Sequence, residues 1–193
     1  MEDSTPALPA APRWVVPAAL LSLAVSSALV VWLVTRGDGH QRFEGHGIAF
    51  SYPDGWDLLP LQTPAVPPGA PAPAFVERVG FREPLDLVFV TGYRTSELPE
   101  GGDVTREGLD RLLSAFAEAV GGEVVDPVGP VTHPSLDAHE ARVRAEAAGE
   151  PIETRAVFLT DGTTLWAISC QSSPEHRAEL ERGCDLIVSS FRA

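Results

Sequence analysis

The sequence has no lysine; all 14 of its basic residues are arginines, set against 27 Asp and Glu for a formal net charge of -13 at pH 7. That balance excludes a nucleic-acid ligand, because neutralising phosphates takes a basic face. It also disfavours electrostatic docking on anionic lipid. Cysteine is scarce, with only Cys170 and Cys184. They lack CxxC spacing and have only His176 between them, so a zinc centre has too few ligands. No serine sits in a G-x-S-x-G elbow, and Ser189-Ser190 has no neighbouring histidine in sequence, so the hydrolase signature is missing. Glycine-rich phosphate loops are absent too, Gly101-Gly102 and Gly121-Gly122 being connectors. His133 and His139 lie close to Asp137 and Glu140, but on a strand Asp137 and His139 share a face and Glu140 points to the other. These are read as surface polar residues. No carboxylate pair stands out for acid–base work. The expectation is no cofactor, no metal and no enzymatic activity.

What the chain does have is one long apolar run. Trp14 to Thr35 is 22 residues without a charge, bounded by Arg13 and Arg36. As a helix it covers roughly 33 Å, enough for a hydrocarbon core of about 30 Å. Trp14 and Trp32 lie near its ends, where aromatic rings favour the membrane interface. Pro17 falls in the first turn, where its missing N–H costs little. A cleaved signal peptide would have a shorter apolar stretch ending in a small-x-small site. This one ends Leu33-Val34-Thr35-Arg36, and no cysteine follows for lipid attachment. The expected organisation is a short cytoplasmic tail (1–13), a single transmembrane anchor (14–36), a linker (37–45) and an extracytoplasmic domain (46–193). One arginine precedes the run and two, Arg36 and Arg42, follow it closely, so the charge rule does not choose that orientation. The cysteines choose it: a Cys170–Cys184 disulfide belongs in an oxidising compartment. Closing its loop of about 15 residues is worth about 3 kcal/mol. Two buried free thiols are the alternative.

Within the domain, Gly47 to Tyr52 alternates as a strand and Pro53-Asp54-Gly55 turns. Trp56 to Leu59 is extended again. Pro60 to Pro73 contains six prolines and reads as an irregular loop with polyproline character, the most plausible interaction surface. Ala74–Phe81 and Asp86–Tyr93 are two further strands. A helix follows, capped by Asp103, with Leu109, Leu112, Leu113, Phe116 and Val120 at helical spacing, and Gly121-Gly122 ends it. A proline-bearing loop leads to strands Ala138–Ala147, Ile152–Thr160 and Thr163–Cys170, the last two joined by Asp161-Gly162. A closing helix starts at Ser173-Pro174 and carries the stripe Leu180, Cys184, Ile187, Val188 and Phe191. Strand residues 87–90 and 165–168 are apolar on both sides, so both faces of the sheet should be covered, one helix to each. That places Cys170 and Cys184 where strand and helix pack. The fold class is α+β, a mainly antiparallel sheet flanked by helices. Trp56, Tyr93 and Trp166 are core aromatics or, in the rival reading, the lining of an apolar ligand pocket.

The order of these pieces is familiar. The opening Gly47-Ile48-Ala49-Phe50-Ser51-Tyr52-Pro53-Asp54-Gly55-Trp56, the hairpin leading to Cys170, and the ending Ile187-Val188-Ser189-Ser190-Phe191-Arg192 together resemble the PsbP-like α/β/α sandwich superfamily. Within it, the resemblance is to the LpqN/LpqT-type envelope proteins of actinobacteria and to DcrB-type proteins. It covers roughly Phe43 to Ala193. It implies a binding or accessory role, mostly without catalysis, and names no partner. The anchor together with a catalytically empty domain gives the expectation of an envelope protein that works through protein–protein contact. A carrier or sensor of a small apolar ligand held between sheet and helix is the alternative.

Overall fold

The structure, a computed structural model, describes residues 39–60, 72–81, 85–98 and 104–193. The expected anchor with Arg13, Trp14, Trp32 and Arg36, the middle of the Pro60–Pro73 loop, and Asp103 lie outside the described residues. Among the described residues, no helix is long and apolar enough to cross a membrane.

In chain order the elements are β1 (His40–Gly45), β2 (Ile48–Pro53), β3 (Asp57–Leu58), β4 (Phe75–Gly80), β5 (Leu87–Arg94), a 3-10 turn at Thr95–Glu97, α1 (Arg106–Ala119), β6 (Glu123–Pro130), β7 (Asp137–Ala147), β8 (Glu150–Thr160), β9 (Thr164–Ser172) and α2 (Arg177–Ser190). Seven strands form one antiparallel sheet in the order β3-β4-β5-β9-β8-β7-β6, and β1-β2 form a separate ribbon. The period of two in β8 explains the layers. Val157 and Leu159 are buried in the core on one face, Ala156 and Phe158 in the core on the other. The first face packs against α2 and the ribbon, through Phe50, Trp56, Val88, Ile168 and Ile187. The second packs against α1, whose Leu109, Leu113 and Ala117 cover Val128, Ala141, Val143 and Phe158. Each fully buried side chain of this kind stabilises by about 1.5–3 kcal/mol. One helix per face is what the two-sided apolar strands require.

Several local expectations are corrected. Residues 40–45 are a strand, not linker: His46 and Gly47 take positive φ (53° and 78°), a turn that folds β1 back on β2. Residues 123–130 are a strand despite Pro127 and Pro130, because β6 is the sheet edge and its register is broken by bulges around Asp126. Thr105 caps α1, its side chain accepting from Gly108 N–H at 3.2 Å. Phe116 and Val120 are each 40% exposed; Ala117 takes the core position instead, because the buried stripe steps by four from Leu109. Ser173 does not cap α2, which begins after His176. Its N–H and hydroxyl both donate to buried Asp86, at 2.7 and 3.1 Å.

The ending that resembled the superfamily has a physical task. Ser190 Oγ accepts from Ser51 N–H at 2.8 Å, Ala49 and Arg192 exchange two backbone hydrogen bonds, and fully buried Phe191 meets the Trp166 ring at 5.6 Å. The closing helix therefore clamps the opening ribbon.

Candidate functional site

The connections at one end of the sheet leave an open groove of about 710 Å³. Its lining comes from three places: Val104 ahead of α1, residues 133–137 between β6 and β7, and Thr160, Asp161 and Gly162 at the β8–β9 turn. Each wall is held by its own hydrogen bonds. Asp161 Oδ1 accepts from the N–H groups of Thr163 and Thr164, both at 2.8 Å, and from the Thr163 hydroxyl at 2.9 Å. Those backbone donors hold its carboxyl below the usual aspartate range, so it stays anionic. Thr160 Oγ1 donates to Thr164 O and accepts from Gly162 N–H, fixing the three-residue turn. Opposite, His133 Nδ1 accepts from Ser135 N–H at 3.3 Å, which leaves Nε2 to donate to Val188 O at 3.1 Å. Burial lowers the His133 pKa; the bond to Val188 O opposes this, and nearby Arg192 adds to the lowering.

A neutral His133 is therefore part of the groove wall, and its pH dependence has a sign. With the folded pKa below 6.5, its contribution to stability is complete above about pH 6.5 and is lost as pH falls below that value. Urea midpoints measured from about pH 7.5 down to about pH 5.5 should fall more for the wild type than for His133→Gln. Identical slopes would remove His133 from this account.

Of the aromatics singled out in the sequence, two share one core and the third borders the other. Trp56, 1% exposed, packs at 5.6 Å from Phe81, and Trp166 packs on Phe191, both in the core beneath α2. Tyr93 borders the other core, under α1, where burial pushes its hydroxyl pKa up. The enclosed cavity nearest the disulfide, between Leu180, Glu181, Arg142 and Arg155, is about 10 Å³, room for one water.

The thiols do meet. Cys170 of β9 and Cys184 of α2 form a disulfide, 4% and 0% exposed, with Cα atoms 6.1 Å apart. Beside it the sheet face carries ions where α2 ends its cover. Arg155 donates to Glu140 and Asp185 at 2.8 and 2.6 Å, and Arg142 to Glu153 and Glu181 at 3.1 and 2.8 Å. Burial pulls both guanidinium pKa values down, but these bonds outweigh it and hold both above the ordinary value. The lattice replaces apolar cover with paired charge. Of the metal candidates, His133 is spent on Val188 O, and Glu140 on the lattice. Among the described residues no group of three or more His, Cys, Asp or Glu could hold a metal ion.

Asp86 is a polar group that sequence reasoning passed over. It is 3% exposed and accepts from Ser173 twice and from His176 Nδ1 at 2.8 Å, with Phe81 stacked on the His176 ring at 5.1 Å. Its carboxylate ties the β4–β5 side of the sheet to the turn that leads into α2. Asp86→Ala should cost about 3 kcal/mol by stripping acceptors from buried donors. A loss below about 1 kcal/mol in urea unfolding would mean that this tie is not a structural one.

No family model and no curated protein matches the chain. Solved structures do. Cyanobacterial PsbP (CyanoP) from Synechocystis sp. PCC 6803 superposes with a TM-score of 0.59 at 14% identity, over 80% of this chain and 92% of that one. The chain has a PsbP-like fold. LpqN, described as involved in cell envelope biogenesis of Mycobacterium tuberculosis, gives a TM-score of 0.50 at 12% identity, over 79% of this chain and 88% of that one. A Bacteroides thetaiotaomicron protein gives 0.53 at 11% identity, with 80% of this chain covering 48% of that longer one. In this PsbP-like body the groove is assembled from connections, the segments free to vary while the layers stay fixed.

Proposed function

We propose that the chain is a membrane-tethered, extracytoplasmic accessory domain that acts by protein–protein contact at the cell envelope and has no catalytic activity of its own. Residues 14–36 are its anchor, residues 1–13 its cytoplasmic tail, and the PsbP-like body lies outside the cytoplasm. The observation that carries this reading is the buried Cys170–Cys184 bridge, since disulfides of this kind form and persist in oxidising compartments. The 22-residue uncharged run ahead of the domain supplies a means of tethering. The resemblance to LpqN, whose description is cell envelope biogenesis, points the same way. The carrier reading finds little support: Trp56, Trp166 and Phe191 fill the space between sheet and α2, and the 10 Å³ left beside the disulfide is far below the roughly 300 Å³ that small-ligand pockets start from.

Protease added to intact cells tests the arrangement. The expected result is loss of the C-terminal domain with survival of a short membrane-embedded fragment. A domain that resists until the cells are lysed would overturn it.

A further inference from the structure

The chain has no asparagine, so chemistry that runs through a cyclic imide of the backbone is confined to its aspartates. In that chemistry the main-chain nitrogen of the next residue attacks the aspartate Cγ, and a glycine there, having no side chain, hinders the approach least. Asp-Gly occurs three times, at 38–39, 54–55 and 161–162. Asp38 lies outside the described residues; the other two pairs are exposed turns with opposite surroundings.

At the β8–β9 turn both reacting groups are held. The Asp161 carboxylate accepts three hydrogen bonds from Thr163 and Thr164, and the Gly162 N–H donates to Thr160 Oγ1 at 3.0 Å. Attack requires these bonds to break, and the donors keep the carboxylate in its anionic, poorly electrophilic form. The turn between β2 and β3 holds neither group. Among the described residues, no hydrogen bond reaches the Asp54 carboxylate or leaves the Gly55 N–H. The bonds that shape this turn use other atoms: Trp56 N–H donates to Pro53 O, and Gln41 Nε2 to Asp54 O, both at 3.0 Å. Space is open as well, since a Cβ at Gly55 would meet no heavy atom within 4 Å beyond its chain neighbours.

We infer that Asp54-Gly55 is a site of spontaneous isoaspartate formation in the folded protein and that Asp161-Gly162 is protected from it. The Gly55 nitrogen bonds to Asp54 Cγ as the protonated carboxyl group loses its hydroxyl. The proton of that nitrogen departs with the hydroxyl as water, and a five-membered imide results. Water then adds at one of the two imide carbonyls. Addition at Cγ restores aspartate; addition at the main-chain carbon leaves the chain running through Cβ. The product lengthens the main chain by one atom inside a tight turn. Trp56 follows directly, with its ring 1% exposed, seated on Gly183 of α2 and against Phe81. A longer turn shifts the indole in that close-packed seat, so the modified domain is less stable than the native one.

The test incubates the purified full chain in detergent, at neutral pH in water enriched in heavy oxygen, and digests it for mass spectrometry. Each passage through the imide installs one heavy oxygen, and electron-transfer fragmentation separates isoaspartate from aspartate. In the folded chain, label should enter Asp54 about tenfold faster than Asp161. In urea, where neither turn survives, the two rates should converge. Gly55 lies outside the left-handed region and has room for a Cβ, so Gly55→Ala should fold and should slow labelling at Asp54. Thr160→Val frees the Gly162 N–H and should speed labelling at Asp161. Protein aged until Asp54 is largely isomerised should unfold at lower urea than fresh protein, whereas Gly55→Ala aged alongside should not. Equal rates in the folded chain, faster labelling at Asp161, or a ratio unchanged by urea would overturn the inference. An unchanged urea midpoint in the isomerised protein would overturn its link to Trp56.

Discussion

Gly183→Ala should destabilise the domain by about 3 kcal/mol, although the same change inside an exposed helix gains about 1 kcal/mol. The sign reverses because of Trp56. A Cβ built at Gly183 would lie within 3.0 Å of three atoms of the six-membered ring of that indole. The indole cannot retreat, being 1% exposed, packed against Phe81 and set within the core beneath α2. Trp56→Ala alone should cost about 3–5 kcal/mol through the lost burial and the cavity left behind. In that background, however, Gly183→Ala should lose its penalty, because the ring it strikes is gone. A double-mutant cycle by urea unfolding should thus give a coupling of about 3 kcal/mol. If Gly183→Ala stabilises the wild type, the ring and the helix do not meet as described.

Paired replacement of Cys170 and Cys184 by alanine should lower stability by about 3 kcal/mol, or roughly 6–12 °C in Tm for a domain of this size. The bridge spans 14 residues of sequence and closes a loop that contains the β9–α2 connection. Its main effect is on the unfolded chain, which loses freedom when the loop is closed. Reduction of the wild type should reproduce the double variant to within about 1 kcal/mol, since the two states share an open loop. Both sulfurs are buried, so a mild reductant should act at the rate of local unfolding and not of thiol exchange at a surface. Unfolding midpoints that are the same with and without reductant, in protein whose thiols have been shown to be reduced, would count against any stabilising role.

Elements whose periodicity comes from packing were readable in the chain. Strands β2, β5, β8 and β9 carry the apolar residues of the two cores, and the final helix carries Leu180, Cys184 and Ile187 at helical spacing, so their pattern reflects what they touch. The disulfide was readable for the same reason: both cysteines sit on faces that the pattern turns inward. β1 was missed because His40, Gln41, Arg42 and Glu44 are all exposed and leave no alternation, the strand being held by backbone pairing to β2. β6 was hidden by Pro127 and Pro130, which an edge strand with bulges tolerates. Thr105 and Asp103 compete for the same capping position two residues apart, and both side chains suit it. The groove had no signature at all. Val104, His133, Asp137 and Asp161 come from separate connections, and only the strand order brings them to one end of the sheet. The same holds for Trp56 on Gly183: a helix glycine reads as a weak spot until the ring that requires it is placed.

The clamp between the ribbon and the closing helix has a mechanical consequence. Tension along the polypeptide upstream of His40 enters the body through β1, whose six residues pair in register with β2. Pulled along the strand, these pairs resist together in shear instead of opening one at a time. β2 in turn is fastened to the last residues of the chain at Ala49–Arg192 and Ser51–Ser190. Load arriving at the first strand is therefore shared with the final helix, and the two ends of the folded sequence yield as one unit.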